Sequence, residues 1–74
     1  MTAVAKSDTT FGARLRKLRE DAGLTQAELA EQSDMIPNSL ARLERGATQP
    51  SWATVLKLAA ALGVEPNDFL PREE

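Results

Sequence analysis

Residues 24–46 read Leu-Thr-Gln-Ala-Glu-Leu-Ala-Glu-Gln-Ser-Asp-Met-Ile-Pro-Asn-Ser-Leu-Ala-Arg-Leu-Glu-Arg-Gly, and this stretch decides the fold. Thr25 and Glu28 have the spacing of a capping box, in which each side chain satisfies the other's free backbone N–H. Leu24 before the cap and Leu29 at the fourth helical position form a hydrophobic staple. A helix is expected over 26–32, with Leu29, Ala27 and Ala30 on its narrow apolar side. A second helix is expected over about 37–45, starting at Pro37 because proline's missing N–H costs nothing at a first helical position. Leu40, Leu43 and Glu44 share one face of that helix by the i, i+3, i+4 rule. Asn38, Arg42 and Arg45 fall on the opposite face. Gly46 can take the left-handed conformation that closes a helix. Two short helices joined by a tight corner, the second with a polar outward stripe, make a helix-turn-helix candidate. An ordinary helical hairpin with a solvated charged face gives the same spacing.

Working outward, Phe11, Leu15, Leu18 and Ala22 lie at i, i+4, i+7 and i+11 and predict a helix over 11–22. Thr10 or Thr9 is its candidate N-cap, and Gly23 its stop. Beyond the central stretch, 46–50 is a polar loop. Ser51 caps a helix over 52–62, with Val55, Leu56, Ala59 and Leu62 as its core side and Leu58 widening it. Gly63 ends it, Val64 turns inward, and Pro66 starts a last short turn through Phe69 and Leu70 before Pro71 breaks the pattern. No stretch alternates with a period of two. The expectation is an all-α, compact five-helix bundle over 11–70, with a flexible arm at 1–10 and an acidic tail at 71–74.

The chain has 74 residues, enough for one small domain. It contains no cysteine and no histidine. A disulfide framework is therefore excluded, and so are the commonest general base and metal ligand. There is no Gly-rich phosphate loop, and no serine or threonine has an evident base beside it. An enzyme, a cofactor and a small-molecule ligand are not expected. No apolar run is long enough to span a membrane, and the first ten residues lack the apolar segment of a secretory signal, so a cytoplasmic protein is expected. The net charge is −2. Glu65, Asp68, Glu73 and Glu74 against Arg72 place −3 of it in the last ten residues, which leaves +1 for residues 1–64. Basic residues cluster in the first helix as Arg14, Arg16, Lys17 and Arg19. Local placement of charge, rather than its total, decides contacts.

With these helices in place, the chain resembles the lambda-repressor-like helix-turn-helix family, also called the Xre or Cro/C1 type. The matching pieces are Phe11-Gly12-x-x-Leu15-Arg16-x-Leu18-Arg19, the Leu24–Ala30 run, the Leu40–Gly46 run, Pro50-Ser51, and the Leu56–Val64 segment. The resemblance covers about residues 11–70. It implies sequence-specific binding of double-stranded DNA as a repressor-like transcription regulator, with the third helix in the major groove. Carried over by position, it implies base contacts from Ile36, Pro37, Asn38 and Arg42. It implies phosphate contacts from Gln26, Ser39, Arg45, Thr48 and Gln49. Glu44 on the packing face needs a partner, since a bare carboxylate there is costly. The resemblance points to Arg19, as a structural ion pair between the first and third helices. It also implies a two-fold homodimer on half-sites ~34 Å apart, formed in solution or only on DNA. Trp52, Phe69 and Leu70 are candidates either for that contact or for closing the core.

The corner departs from the family pattern. Asp34 stands where glycine is usual, and Ile36 where a small hydroxylated residue caps the third helix. Aspartate adopts the left-handed conformation less readily than glycine, and isoleucine has no capping atom. Pro37 does push Ile36 towards the extended geometry of a cap. Asp34 is the candidate to supply a carboxylate cap in its place, or to sit as a negative charge near DNA. The departure admits two explanations: an unusual specificity, natural or engineered, or a surface given over to a protein partner. An antitoxin-type protein and a pure protein-interaction domain are the competing functions.

Overall fold

The computed structural model describes residues 10–69. The arm expected before Thr10, and Leu70 and the acidic tail at 71–74, lie outside the described residues. Four α-helices follow one another: α1 (Phe11–Asp21), α2 (Gln26–Gln32), α3 (Pro37–Glu44) and α4 (Trp52–Leu62). The fifth helix of the expected bundle is instead a single 3-10 turn, Pro66–Phe69. Asp68 N–H bonds the Glu65 carbonyl at 2.8 Å, an i→i+3 closure, and four residues leave no room for an α-helical ladder. Asp68 also turns its carboxylate back to accept from Glu65 N–H at 3.0 Å.

Three of the four helices start on a side-chain cap. Thr10 Oγ1 accepts from Ala13 N–H, Thr25 Oγ1 from Glu28 N–H and Ser51 Oγ from Thr54 N–H. The capping box at α2 is complete, since Glu28 Oε1 accepts from Thr25 N–H at 2.8 Å. The exception is α3. Ile36 has extended cap geometry (φ −90°, ψ 150°), but no side chain bonds the free N–H groups, so Asp34 does not cap this helix.

All four helices end the same way. A residue with positive φ follows the last turn, and the next residue's N–H reaches back five positions. Leu24 bonds the Arg19 carbonyl, Met35 that of Ala30, Ala47 that of Arg42 and Val64 that of Ala59. This is the Schellman stop. Glycine fills the positive-φ position at 23, 46 and 63, but at the corner Asp34 does so, at φ 60°. The substitution the sequence makes at the corner thus keeps the turn and loses glycine's ease in it.

Leu15, Leu29, Ala30, Leu40, Leu43, Leu58, Ala59 and Phe69 form the buried core. Phe11, Leu18, Met35, Val55, Leu62 and Val64 pack around it, and the Phe11 and Phe69 rings lie 5.0 Å apart. Three expected core positions are exposed. Ala27 is on the outer side of α2, Ala22 lies past the end of α1, and Leu56 is 44% exposed. On α4 the buried stripe runs Val55, Leu58, Ala59, Leu62, and Leu56 is one helical step of 100° off it. Gly12 brings α1 and α3 into backbone contact. A Cβ on Gly12 would stand 2.5 Å from the Leu43 carbonyl oxygen and 2.6 Å from that of Glu44.

Candidate nucleic-acid interface

The α3 face opposite Leu40 and Leu43 is open to solvent. Pro37, Asn38, Arg42 and Arg45 are exposed, Ser39 is half-buried, and Ile36 is 63% exposed. Ile36, Asn38, Ser39 and Arg42 line one wide concavity, closed on its far side by Thr48, Gln49 and the first two turns of α4. Pro37 and Arg45 are exposed outside that concavity, and Gln26 sits apart from it at the start of α2. The far wall also contributes Thr54 and Lys57, two residues the sequence reading did not single out. Their signal was the Ser51 cap, which puts positions 54 and 57 three and six residues along one face. Asp34 and Met35 complete the rim.

Ion pairing sorts the cations into two sets. In α1, Arg16 bonds Glu20 at 3.1 Å, Lys17 lies 4.0 Å from Asp21, and Arg14 Nη2 donates to the Asp68 carbonyl at 3.0 Å. Arg14 and Arg19 are therefore engaged within the fold, while Arg16 and Lys17, 66% and 63% exposed, sit in surface pairs along α1 itself. Among the described residues, the cationic side chains without a partner are Arg42, Arg45 and Lys57. Arg42 lies on α3, Arg45 caps its C-terminal end, and Lys57 is on the wall facing it. A chain of net charge −2 thus still presents a cationic face.

Below that face lies a nearly buried network. Arg19 grips Glu44 with two bonds, Nε to Oε2 at 2.6 Å and Nη2 to Oε1 at 3.2 Å. The two side chains are 11% and 4% exposed. Arg19 Nη1 donates to the Leu24 carbonyl at 2.8 Å, and Gln26 Nε2 donates to Glu44 Oε1 at 3.0 Å. The Arg19–Glu44 pair thus ties the end of α3 to α1, the loop before α2 and the first residue of α2. The hydrogen bond to Glu44 raises the Arg19 pKa above its ordinary value, against the opposing effect of burial. A raised basic pKa adds stability that is complete below the ordinary guanidinium range and lost only as pH rises through the folded value.

Helix lengths, corner and outward stripe are those of a helix-turn-helix. The family model described as a helix-turn-helix domain matches residues 10–70. The chain belongs to that family. It is of the lambda-repressor-like, Cro/C1 type, whose members are DNA-binding transcription regulators. The immunity repressor protein of Bacillus phage phi105 is 34% identical over 64 residues, covering 86% of this chain and 44% of that protein. The restriction-modification controller protein C.AhdI from Aeromonas hydrophila superposes with a TM-score of 0.80 at 42% identity, over 81% of this chain and 91% of that one. The P22 c2 repressor, solved with a synthetic operator, superposes with a TM-score of 0.78 at 27% identity, over 84% and 94%. The chain spans about half the length of several curated relatives that it matches. No helix among the described residues is long and apolar enough to cross a membrane.

Proposed function

We propose that this chain reads duplex DNA by laying α3 in the major groove, as the DNA-binding unit, residues 11–70, of a repressor-like regulator in the cytoplasm. The observation that carries this reading is the sorting of charge: the unpartnered cations Arg42, Arg45 and Lys57 flank the open α3 face, while each cation of α1 has a partner within the chain. Neighbours solved with DNA, the P22 c2 repressor and SinR, support duplex DNA as the partner. Asn38 bonds adenine at N6 and N7, and Arg42 bonds guanine at O6 and N7. Ile36 meets a thymine methyl, and Pro37 adds shape and apolar contact. Gln26, Ser39, Arg45, Thr48 and Gln49 hold phosphates and set the register.

The regulator works as a two-fold dimer on DNA. Phe69 is 2% exposed and belongs to the core, so it is not available for the contact. Trp52 and Leu56, 66% and 44% exposed and one turn apart on α4, are the apolar surface that supports pairing. Affinities for an enriched duplex and its point variants test the roles. Asn38→Ala and Arg42→Ala each flatten the preference at one or two base pairs, whereas Arg45→Ala weakens all sequences alike and lowers the salt slope by about 0.9. Uniform weakening by all three changes would refute base readout by α3.

A further inference from the structure

We infer that Glu44 is a positioning residue for DNA binding: it fixes the Gln26 amide with its N–H side available to a phosphate, and Arg19 holds Glu44 in place to do so. This rests on the proposed docking of α2 and α3 against DNA. Gln26 is half-buried at the first position of α2, and its Nε2 donates to Glu44 Oε1 at 3.0 Å. A phosphate only accepts hydrogen bonds, so an amide is useful to it in one of its two orientations. Rotated by 180°, the amide would point its carbonyl at the Glu44 carboxylate, two acceptors facing each other. The carboxylate therefore selects the rotamer with Nε2 towards it. One N–H is spent on Glu44, and the second remains to donate to DNA.

Glu44 can do this because its own position is set. Arg19 holds both carboxylate oxygens, and Oε1 keeps a lone pair for Gln26. The side chain is 4% exposed, so water does not compete at Oε1. The network would then be a support for a DNA contact as well as a tie between helices. Its contribution differs in kind from that of Arg45, because a neutral amide displaces no counterion.

The test is a double-mutant cycle read in DNA affinity, with Glu44→Gln and Gln26→Met, on an enriched duplex at a temperature where melting curves show each variant folded. Glu44→Gln should weaken binding about five- to tenfold, the size of one ordinary hydrogen bond. In the Gln26→Met background the same change should cost nothing further. An equal loss in both backgrounds would show that Glu44 acts through the fold alone, and no loss in either would remove its role; both overturn the inference. Should Glu44→Gln fail to fold, side-chain amide NMR of the unmodified protein decides. One Gln26 Nε2 proton should be hydrogen-bonded in the free protein, and the other should shift when DNA is added. Two equivalent, unresponsive protons alongside clear DNA binding would overturn the inference while leaving the DNA reading intact. Absence of any duplex binding, even at low salt, would overturn both.

Discussion

Replacing Gly12 with alanine should loosen the joint between α1 and α3. Gly12 lies inside α1 with no left-handed requirement, so alanine fits its backbone and raises helix propensity by about 1 kcal/mol. Space opposes it. The new methyl would sit 2.5 Å and 2.6 Å from two carbonyl oxygens of α3, where ordinary contact begins at 3.4 Å, an overlap of about 0.8–0.9 Å. Both atoms are helix backbone, and one belongs to Glu44, which Arg19 holds at 2.6 Å, so neither can swing away as a side chain would. Overpacking of this kind costs about 1–3 kcal/mol, and the rigid neighbours place it near the upper end. Subtracting the propensity gain leaves a loss of about 2 kcal/mol. For a chain of this size that lowers Tm by about 8–16 °C. Circular dichroism melts of the two proteins under one buffer give the comparison. A Tm unchanged or raised would mean that the helices separate freely and that the close approach contributes nothing.

Arg19→Met strands a nearly buried carboxylate and should lower stability by about 3–5 kcal/mol, visible as a lost or much earlier denaturant transition. An intact transition with DNA binding lost would instead assign Arg19 to DNA. Asp34→Gly should raise Tm by about 4–8 °C, since relieving a left-handed aspartate is worth about 1 kcal/mol; a fall would show that the carboxylate has a partner. Ile36→Ser, which adds the cap that α3 lacks, should stabilise by about 1 kcal/mol and alter the preferred DNA sequence. If the preference is unchanged, Ile36 does not face a base. Trp52→Arg should abolish cooperative binding to a two-site duplex and leave half-site affinity within about threefold, because one exposed aromatic anchors the proposed pairing; persistent cooperativity would place the dimer contact elsewhere.

The helix boundaries were legible because each is written locally. Thr25 with Glu28, Pro37, Ser51 and the glycines at 23, 46 and 63 are signals that act within one turn of themselves. The outward set of α3 was legible for the same reason, since its period is that of the helix. What escaped was non-local. Gly12 looks like an ordinary helix glycine until α3 passes over it. Arg14 and Arg19 look available until Asp68 and Glu44 are found beside them, and Lys57 joins the concavity only because α4 faces α3. The choice of Leu58 over Leu56 is a matter of one step in helix phase, which several adjacent apolar residues leave open. Counting Pro66–Phe69 as a fifth helix overlooked that four residues close only a 3-10 turn.

At the corner the sequence looked like a departure in two respects, and the structure separates them. Asp34 replaces glycine within the same Schellman stop that ends the other three helices, so the backbone path is kept. Ile36 replaces a capping side chain with an exposed apolar one, so the change falls on the surface proposed to face DNA. That division confines the departure to the exposed surface, the part that either an unusual DNA specificity or a protein partner would use.

Selection of bound duplexes from a randomised DNA pool tests the central claim most directly. The account predicts an enriched motif with guanine and adenine at fixed positions and a two-fold repeat about one helical turn apart, lost in the Asn38→Ala, Arg42→Ala double variant. A pool that fails to enrich even at low salt, where phosphate attraction is strongest, or a motif that survives the double variant, would contradict it.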